Sequence, residues 1–144
     1  MAKTSKKVIK YLSRNDILEL NFQFVNYYGG IYFKGDLNIA NENSLSYLLH
    51  SVDASYFGKK LHHSLFEKAS AYAYYIIKDH IFHDGNKRTG MASTILFLEK
   101  NDYILIPEIS QDDIVNLAIS IEDEKTSKSA LGLWFKSNTQ LITK

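Results

Sequence analysis

Ten consecutive residues carry most of the chemistry in this chain: His80-Ile81-Phe82-His83-Asp84-Gly85-Asn86-Lys87-Arg88-Thr89. Asp84-Gly85 is a turn pair, and Gly85 can take a positive φ or let a ligand come close to the main chain. Lys87 and Arg88 fall in the first turn of the next helix, where the macrodipole disfavours cations by roughly 0.3 to 1 kcal/mol each. Two cations beside unpaired backbone N–H groups make sense if an anion sits there, and phosphate is the common one. Asp84 next to that phosphate suits Mg²⁺, which takes one or two carboxylates together with waters and substrate phosphates. An unperturbed imidazole titrates near neutral pH, so a histidine at position 80, His80, is the residue type for a general base that takes the proton of an attacking hydroxyl. Phosphoryl or nucleotidyl transfer needs mostly positioning and charge stabilisation, which so short a constellation can supply.

Each residue also has an ordinary explanation. A lone histidine on an inward helical face is commonly buried and bonded to a carbonyl, Asp-Gly is a common turn, and both cations could point to solvent at small cost. A second chemistry draws on the same residues. His80, His83 and Asp84, with His62 or His63, would resemble the ligands of an HD-type metal phosphohydrolase, but Gly85, Asn86 and Arg88 then have no role.

The elements that must position this segment read as helices, since proline occurs only at 107 and glycines are few. Ser13 with Asp16 is a capping-box pattern, followed by Ile17, Leu20, Phe24 and Val25 at helical spacing until Gly29 and Gly30. Ile31, Tyr32 and Phe33, then Leu37, Asn38 and Ile39, flank Lys34, Gly35 and Asp36, which predicts a small β-hairpin flap. Asn41 or Asn43 caps a second helix bearing Leu45, Leu48, Leu49 and Val52 and ending near Gly58. The clearest amphipathic stretch is 61–79, where Leu65, Ala69, Tyr72, Ala73 and Ile76 form one stripe, so this helix is expected to be central. His80 continues that stripe and is expected to face a partly enclosed pocket.

A helix from Asn86 to Lys100 turns Met91, Ile95 and Leu98 inward and stops at Asn101. Tyr103 to Ile106 reads as extended. Ser110 with Asp113 opens a helix carrying Ile114, Leu117, Ala118 and Ile121, and Thr126 or Ser127 opens a last one carrying Leu131, Trp134 and Phe135.

A chain of 144 residues is expected to be one domain, burying roughly 70% of its unfolded surface. Residues 1–10 read as a flexible lead and 11–144 as the domain. The 45% apolar and 23% charged fractions exclude disordered and collagen-like classes. A net charge of +1 gives no bulk reason to expect nucleic acid or an anionic membrane as partner. The absence of cysteine removes thiolate metal sites and a cysteine nucleophile. Without a membrane-length apolar run or a signal-peptide core in its opening residues, the chain is expected to be cytoplasmic.

The stretch HIFHDGNKRTG closely resembles the signature of the Fic/Doc (Fido) family, H-x-F-x-(D/E)-(G/A)-N-x-R, at every fixed position through Arg88. The likeness covers about residues 11 to 140 and includes the later phrase ILFLEKNDY, which looks like the shorter Doc-type members. It implies an all-α bundle with a small hairpin flap and the motif loop between two central helices. It implies His80 as base, Phe82 as the loop's core anchor, Asp84 as Mg²⁺ ligand, Gly85 and Asn86 as anion hole, and Arg88 as phosphate contact, with Lys87 a further donor. It also implies that the flap, Ile31, Tyr32, Phe33, Lys34 and Gly35, aligns a protein target by strand addition.

The implied activity is ATP-dependent modification of a hydroxyl on a target protein. Lys87 in place of the usual Gly, and Met91 in place of a second Arg, look like Doc, a toxin that phosphorylates the translation factor EF-Tu. Gly85 instead matches the adenylylating Fic enzymes, so both outcomes stay open, as does a fold-keeping binding module without activity. Ser120 and Glu124 share the spacing of the family's inhibitory helix, but Lys125 follows and the Arg partner is absent. They read as the polar face of an ordinary helix, which leaves restraint to a separate antitoxin chain.

Overall fold

The structure is a computed structural model that describes residues 8–30, 35–53, 55–56, 59–60 and 64–142. Among these, six α-helices dominate: α1 (Arg14–Tyr28), α2 (Glu42–Ser51), α3 (Leu65–Lys78), α4 (Asn86–Lys100), α5 (Gln111–Glu122) and α6 (Lys128–Ser137). The all-α expectation holds. No helix among the described residues is long and apolar enough to cross a membrane.

The helix starts follow the capping chemistry. Ser13 and Asp16, and Ser110 and Asp113, form reciprocal capping boxes on α1 and α5. Asn41, Ser64 and Ser127 cap α2, α3 and α6 through their side-chain oxygens. Asn101 ends α4 as expected, and its side chain also holds Lys10 through both the N–H and the C=O, at 2.9 Å each.

Two extended pieces were placed differently by the sequence pattern. Gly35–Asn38 is a short 3-10 turn, and Ile39 makes an isolated antiparallel bridge to Phe82, so the expected hairpin at 31–39 lacks its second strand. Ile31 to Lys34 lie outside the described residues. The helix expected to reach Gly58 stops at Ser51, and antiparallel strands β1 (Ser55–Tyr56) and β2 (Lys59–Lys60) follow. The extended segment at 103 is β3 (Tyr103–Leu105). Its antiparallel partner is β4 (Thr139–Leu141), with Tyr103 opposite Leu141 and Leu105 opposite Thr139.

The core is built on α3, which packs most extensively on α4 and next on α6, while α1 and α5 also pack on α4. Ala69, Ala71, Tyr72, Ala73, Ile76 and Ile77 are all fully buried. Burial pushes the Tyr72 phenol up to about 12, and its oxygen accepts the Leu12 N–H at 3.2 Å. Small residues bring α3 and α4 close together. Thr94 Oγ1 accepts the Ala73 N–H at 3.0 Å and donates to the Ala69 carbonyl at 2.6 Å. A Cβ on Gly90 would lie 2.9 Å from Ile77 Cγ1 and 3.2 Å from the Ala73 carbonyl.

Replacing a glycine by alanine inside a helix ordinarily stabilises by about 1 kcal/mol. At Gly90 the close approach of α3 dominates, and Gly90→Ala is expected to destabilise by about 1 to 3 kcal/mol. Urea denaturation checks the sign, and an unchanged or raised midpoint contradicts the packing described.

Candidate functional site

The site begins where α3 ends. Asp79 is the last cap residue, the His80 N–H donates to the Ile77 carbonyl at 3.4 Å, and the Ile81 N–H reaches the Ile76 carbonyl at 3.4 Å. These two bonds form a Schellman closure, whose left-handed position is usually glycine. Here it is His80, at φ 46, where a side chain costs roughly 1 to 2 kcal/mol. His80 is exposed. The expectation that it continues the inward stripe into a pocket is corrected for a geometric reason: the helix stops at Lys78, and the left-handed residue swings the imidazole away from the buried face. A strained non-glycine residue in a loop points to function more than to packing.

The loop is then fastened on three sides. Phe82 is 1% exposed and anchors it in the core. The Asn86 side chain clamps the Phe82 main chain, with Oδ1 accepting its N–H at 2.9 Å and Nδ2 donating to its carbonyl at 2.8 Å. The segment before α2 holds the other flank: the Ile81 carbonyl accepts from Ala40 and Asn41 at 2.7 and 3.0 Å, and the Asn38 carbonyl accepts from His83 at 3.1 Å. Arg14 braces that flank with a bidentate pair to Glu42 at 2.6 and 2.9 Å and a 3.7 Å contact to Asp36. The hydrogen bond from Arg14 holds the Glu42 carboxyl below its ordinary range.

From the third side, α1 supplies Asn21, which is 2% exposed. Its Nδ2 donates to the Asp84 carbonyl at 2.9 Å and to Thr89 Oγ1 at 3.2 Å. Gly85 is left-handed at φ 78, and α4 starts on it with no side chain capping its N–H groups. The first helical bond there is Thr89 N–H to the Gly85 carbonyl at 2.9 Å. The N–H groups of Asn86, Lys87 and Arg88 therefore precede the helix's own ladder, the geometry that receives an anion.

The Asp84 carboxylate sits at the mouth of this helix end. Its Oδ1 accepts the Gly85 N–H at 2.8 Å. A Cβ on Gly30 would lie 2.6 Å from its Oδ2, so the chain after α1 passes close only because residue 30 is glycine. One exposed hard carboxylate beside an open helix N-terminus fits Mg²⁺ completed by phosphate oxygens and water. Among the described residues no three His, Asp or Glu converge on a metal, and His62 and His63 lie outside them.

The two cations differ in partner. Lys87 Nζ lies 3.2 and 3.1 Å from the two carboxylate oxygens of Glu122 on α5. The Arg88 guanidinium lies over the Tyr28 ring at 3.9 Å. Asn86 uses its side chain inside the loop, so only its main-chain N–H is left at the helix start. Glu124 lies past the end of α5 at φ 61 and pairs with Lys78 at 2.7 Å, away from the cations of the motif. Sequence spacing placed His80, Asp84, Gly85, Asn86, Lys87 and Arg88 on one loop and helix start. It gave no role to Asn21, Tyr28, Gly30 or Glu122. The pair Gly29-Gly30 was the available signal, read only as a helix stop.

The left-handed strain at His80 has a measurable consequence. His80→Gly is expected to raise stability by about 0.5 to 1 kcal/mol, because glycine relieves the left-handed residue at some cost in unfolded-state entropy. His80→Ala keeps the Cβ and should not share the gain. Paired urea titrations check this, and equal midpoints for the two variants contradict the strain.

Comparison with known proteins places these residues in context. A family model described as “Fic/DOC family” matches residues 11–98. The curated protein “Toxin Doc” of Mycolicibacterium smegmatis is 29% identical over 110 residues, covering 74% of this chain and 78% of that protein.

Proposed function

Since this chain belongs to the Fic/DOC family, we propose that it is a Doc-like toxin enzyme that transfers the γ-phosphoryl group of ATP to a hydroxyl of a protein target. The observation that carries the reading is the start of α4, which opens on a left-handed glycine, is capped by no side chain, and has Asp84 immediately before it. The N–H groups of Asn86, Lys87 and Arg88 hold phosphate oxygens there, and the Arg88 guanidinium adds in-plane donors. Lys87 can exchange Glu122 for a phosphate, because a part-exposed ion pair is worth only about 0 to 1 kcal/mol. Asp84 is the residue to hold Mg²⁺, which neutralises charge on the phosphate oxygens when bound.

His80 accepts the proton of the target hydroxyl as that oxygen bonds to the γ-phosphorus. The bond from the γ-phosphorus to its bridging oxygen breaks, and ADP leaves. An exposed base suits a nucleophile delivered by another protein. The target segment aligns by strand addition, the role expected of the flap at Ile31–Gly35, and β1–β2 before α3 is a further antiparallel pair with an edge to offer. Restraint is assigned to a separate antitoxin chain, since Met91 stands where the arginine partner of an inhibitory glutamate would be.

Adenylylation is the alternative outcome. It would use a second arginine where this chain has Met91, and Met91 is 2% exposed in the core. The helix face that would carry that contact is therefore turned inward here, which favours the kinase reading.

Incubating the protein with a bacterial lysate and ATP labelled at either the α or the γ phosphate separates the outcomes. Label from the γ position on a protein band, lost in His80→Ala, is expected. Label from the α position would establish adenylylation instead, and label surviving in His80→Ala would remove the base assignment.

A further inference from the structure

We propose that Tyr28 is a positioning residue for Arg88: its ring holds the guanidinium at the start of α4 while leaving the guanidinium N–H groups available to an anion. The proposal rests on the phosphate-binding reading above and names a residue that acts through Arg88.

Three observations converge. The Arg88 guanidinium carbon is 3.9 Å from the Tyr28 ring centroid, well inside the range of about 6 Å over which a cation is drawn to a ring face. Among the described residues Arg88 has no carboxylate partner, whereas its neighbour Lys87 has both oxygens of Glu122. A carboxylate occupies the in-plane N–H donors of a guanidinium, but a stacked ring touches its face and leaves the fork open. A fixed cation with unspent donors is what a phosphate site needs, and an aromatic partner supplies it.

Tyr28 is itself held in place. It is the last residue of α1, stacked on Phe24 at 6.3 Å and met edge-on by Tyr27 at 4.8 Å. Two turns earlier on the same helix, Asn21 is hydrogen-bonded to Asp84 and Thr89, which fixes the register of α1 against the motif. Immediately after Tyr28, Gly29 at φ 80 and Gly30 at φ 144 carry the chain past the Asp84 carboxylate. A tyrosine 54% exposed contributes little to a core. Its position is explained by Arg88.

The test uses the full chain as Tyr28→Leu, Tyr28→Phe, Arg88→Ala and the Tyr28→Leu/Arg88→Ala double variant. Without nucleotide, the Arg88 Nε–H resonance should be displaced by the ring in wild type and Y28F and should move in Y28L. In calorimetric titration with ATP and Mg²⁺, Y28L should weaken binding about 3- to 30-fold, Y28F should restore it, and Y28L should add nothing in the Arg88→Ala background. Urea midpoints should be alike for Y28L and Y28F, which a purely structural role would separate. An undisplaced Arg88 resonance in wild type, an equal loss in the Arg88→Ala background, or failure of Phe to restore binding would overturn the proposal. A displaced resonance in a wild-type chain that does not bind ATP would instead overturn the phosphate-binding reading, and the anion part of this role with it.

Discussion

The two hydrogen bonds between the Asn86 side chain and the Phe82 main chain set the shape on which the site depends. They close the loop between α3 and α4 onto itself, with Phe82 sunk in the core as its foot. Both ends of the amide are used, so nothing buried is left unpaired, and a partly satisfied version would be costly. Because Asn86 is also the first residue of α4, the same clamp fixes where that helix begins and where its unbonded N–H groups point. Gly85, just before it, must then be left-handed, and Asp84 is carried to the mouth of the helix. Position, charge and open donors all follow from one side chain turning back four residues.

Around that clamp the structure sorts polar groups by whether their hydrogen-bonding capacity is used up. Asn21, Asn38 and Asn41 supply polar groups that hold the loop's main chain or the cap beside it. Lys87 is paired with Glu122 at a part-exposed site, where the attraction is weak enough for another anion to compete. Arg88 is held by a ring face and keeps its donors. The flanking braces stay off the motif: Arg14 binds Glu42, and Lys78 binds Glu124. Charge is thus committed at the periphery and less committed toward the helix start.

How much of this was legible in the sequence depended on the range of the interaction. Caps at Ser13 and Ser110 are decided by residues three apart and read correctly, and of the two candidates Thr126 and Ser127 it is Ser127 that caps α6. The central place of α3 followed from its stripe of Ala69, Tyr72, Ala73 and Ile76. The motif residues were legible because cations in a first helical turn break a local rule. What pattern missed was set by tertiary partners. The segment Leu37-Asn38-Ile39 looks like a strand, yet its first two residues lie in a 3-10 turn and Ile39 bridges to Phe82, across more than forty residues. The extended segment at 103 was visible, but its partner at 139–141 lies beyond two helices. His80 was placed on the inward stripe because periodicity cannot see that the helix ends at Lys78 and that residue 80 turns left-handed.

That ending shows how the fold makes room for chemistry. A Schellman closure with glycine would be the stable solution, and Ile81 and Ile76 already supply its two bonded, fully buried hydrophobic partners. Placing a histidine at the left-handed position keeps the closure and accepts the strain, since the bonds on either side, from Ile77, Ile76, Ala40 and Asn41, over-determine the turn. The gain is direction. The same imidazole in a helical residue would pack among Ile76 and Tyr72 and lose contact with solvent. At φ 46 it stands exposed on the rim of a loop whose other end is an open helix terminus. His80 and the open start of α4 thus come from consecutive helix ends joined by a loop of seven residues, so their spacing is held by main-chain closure rather than by a distant contact.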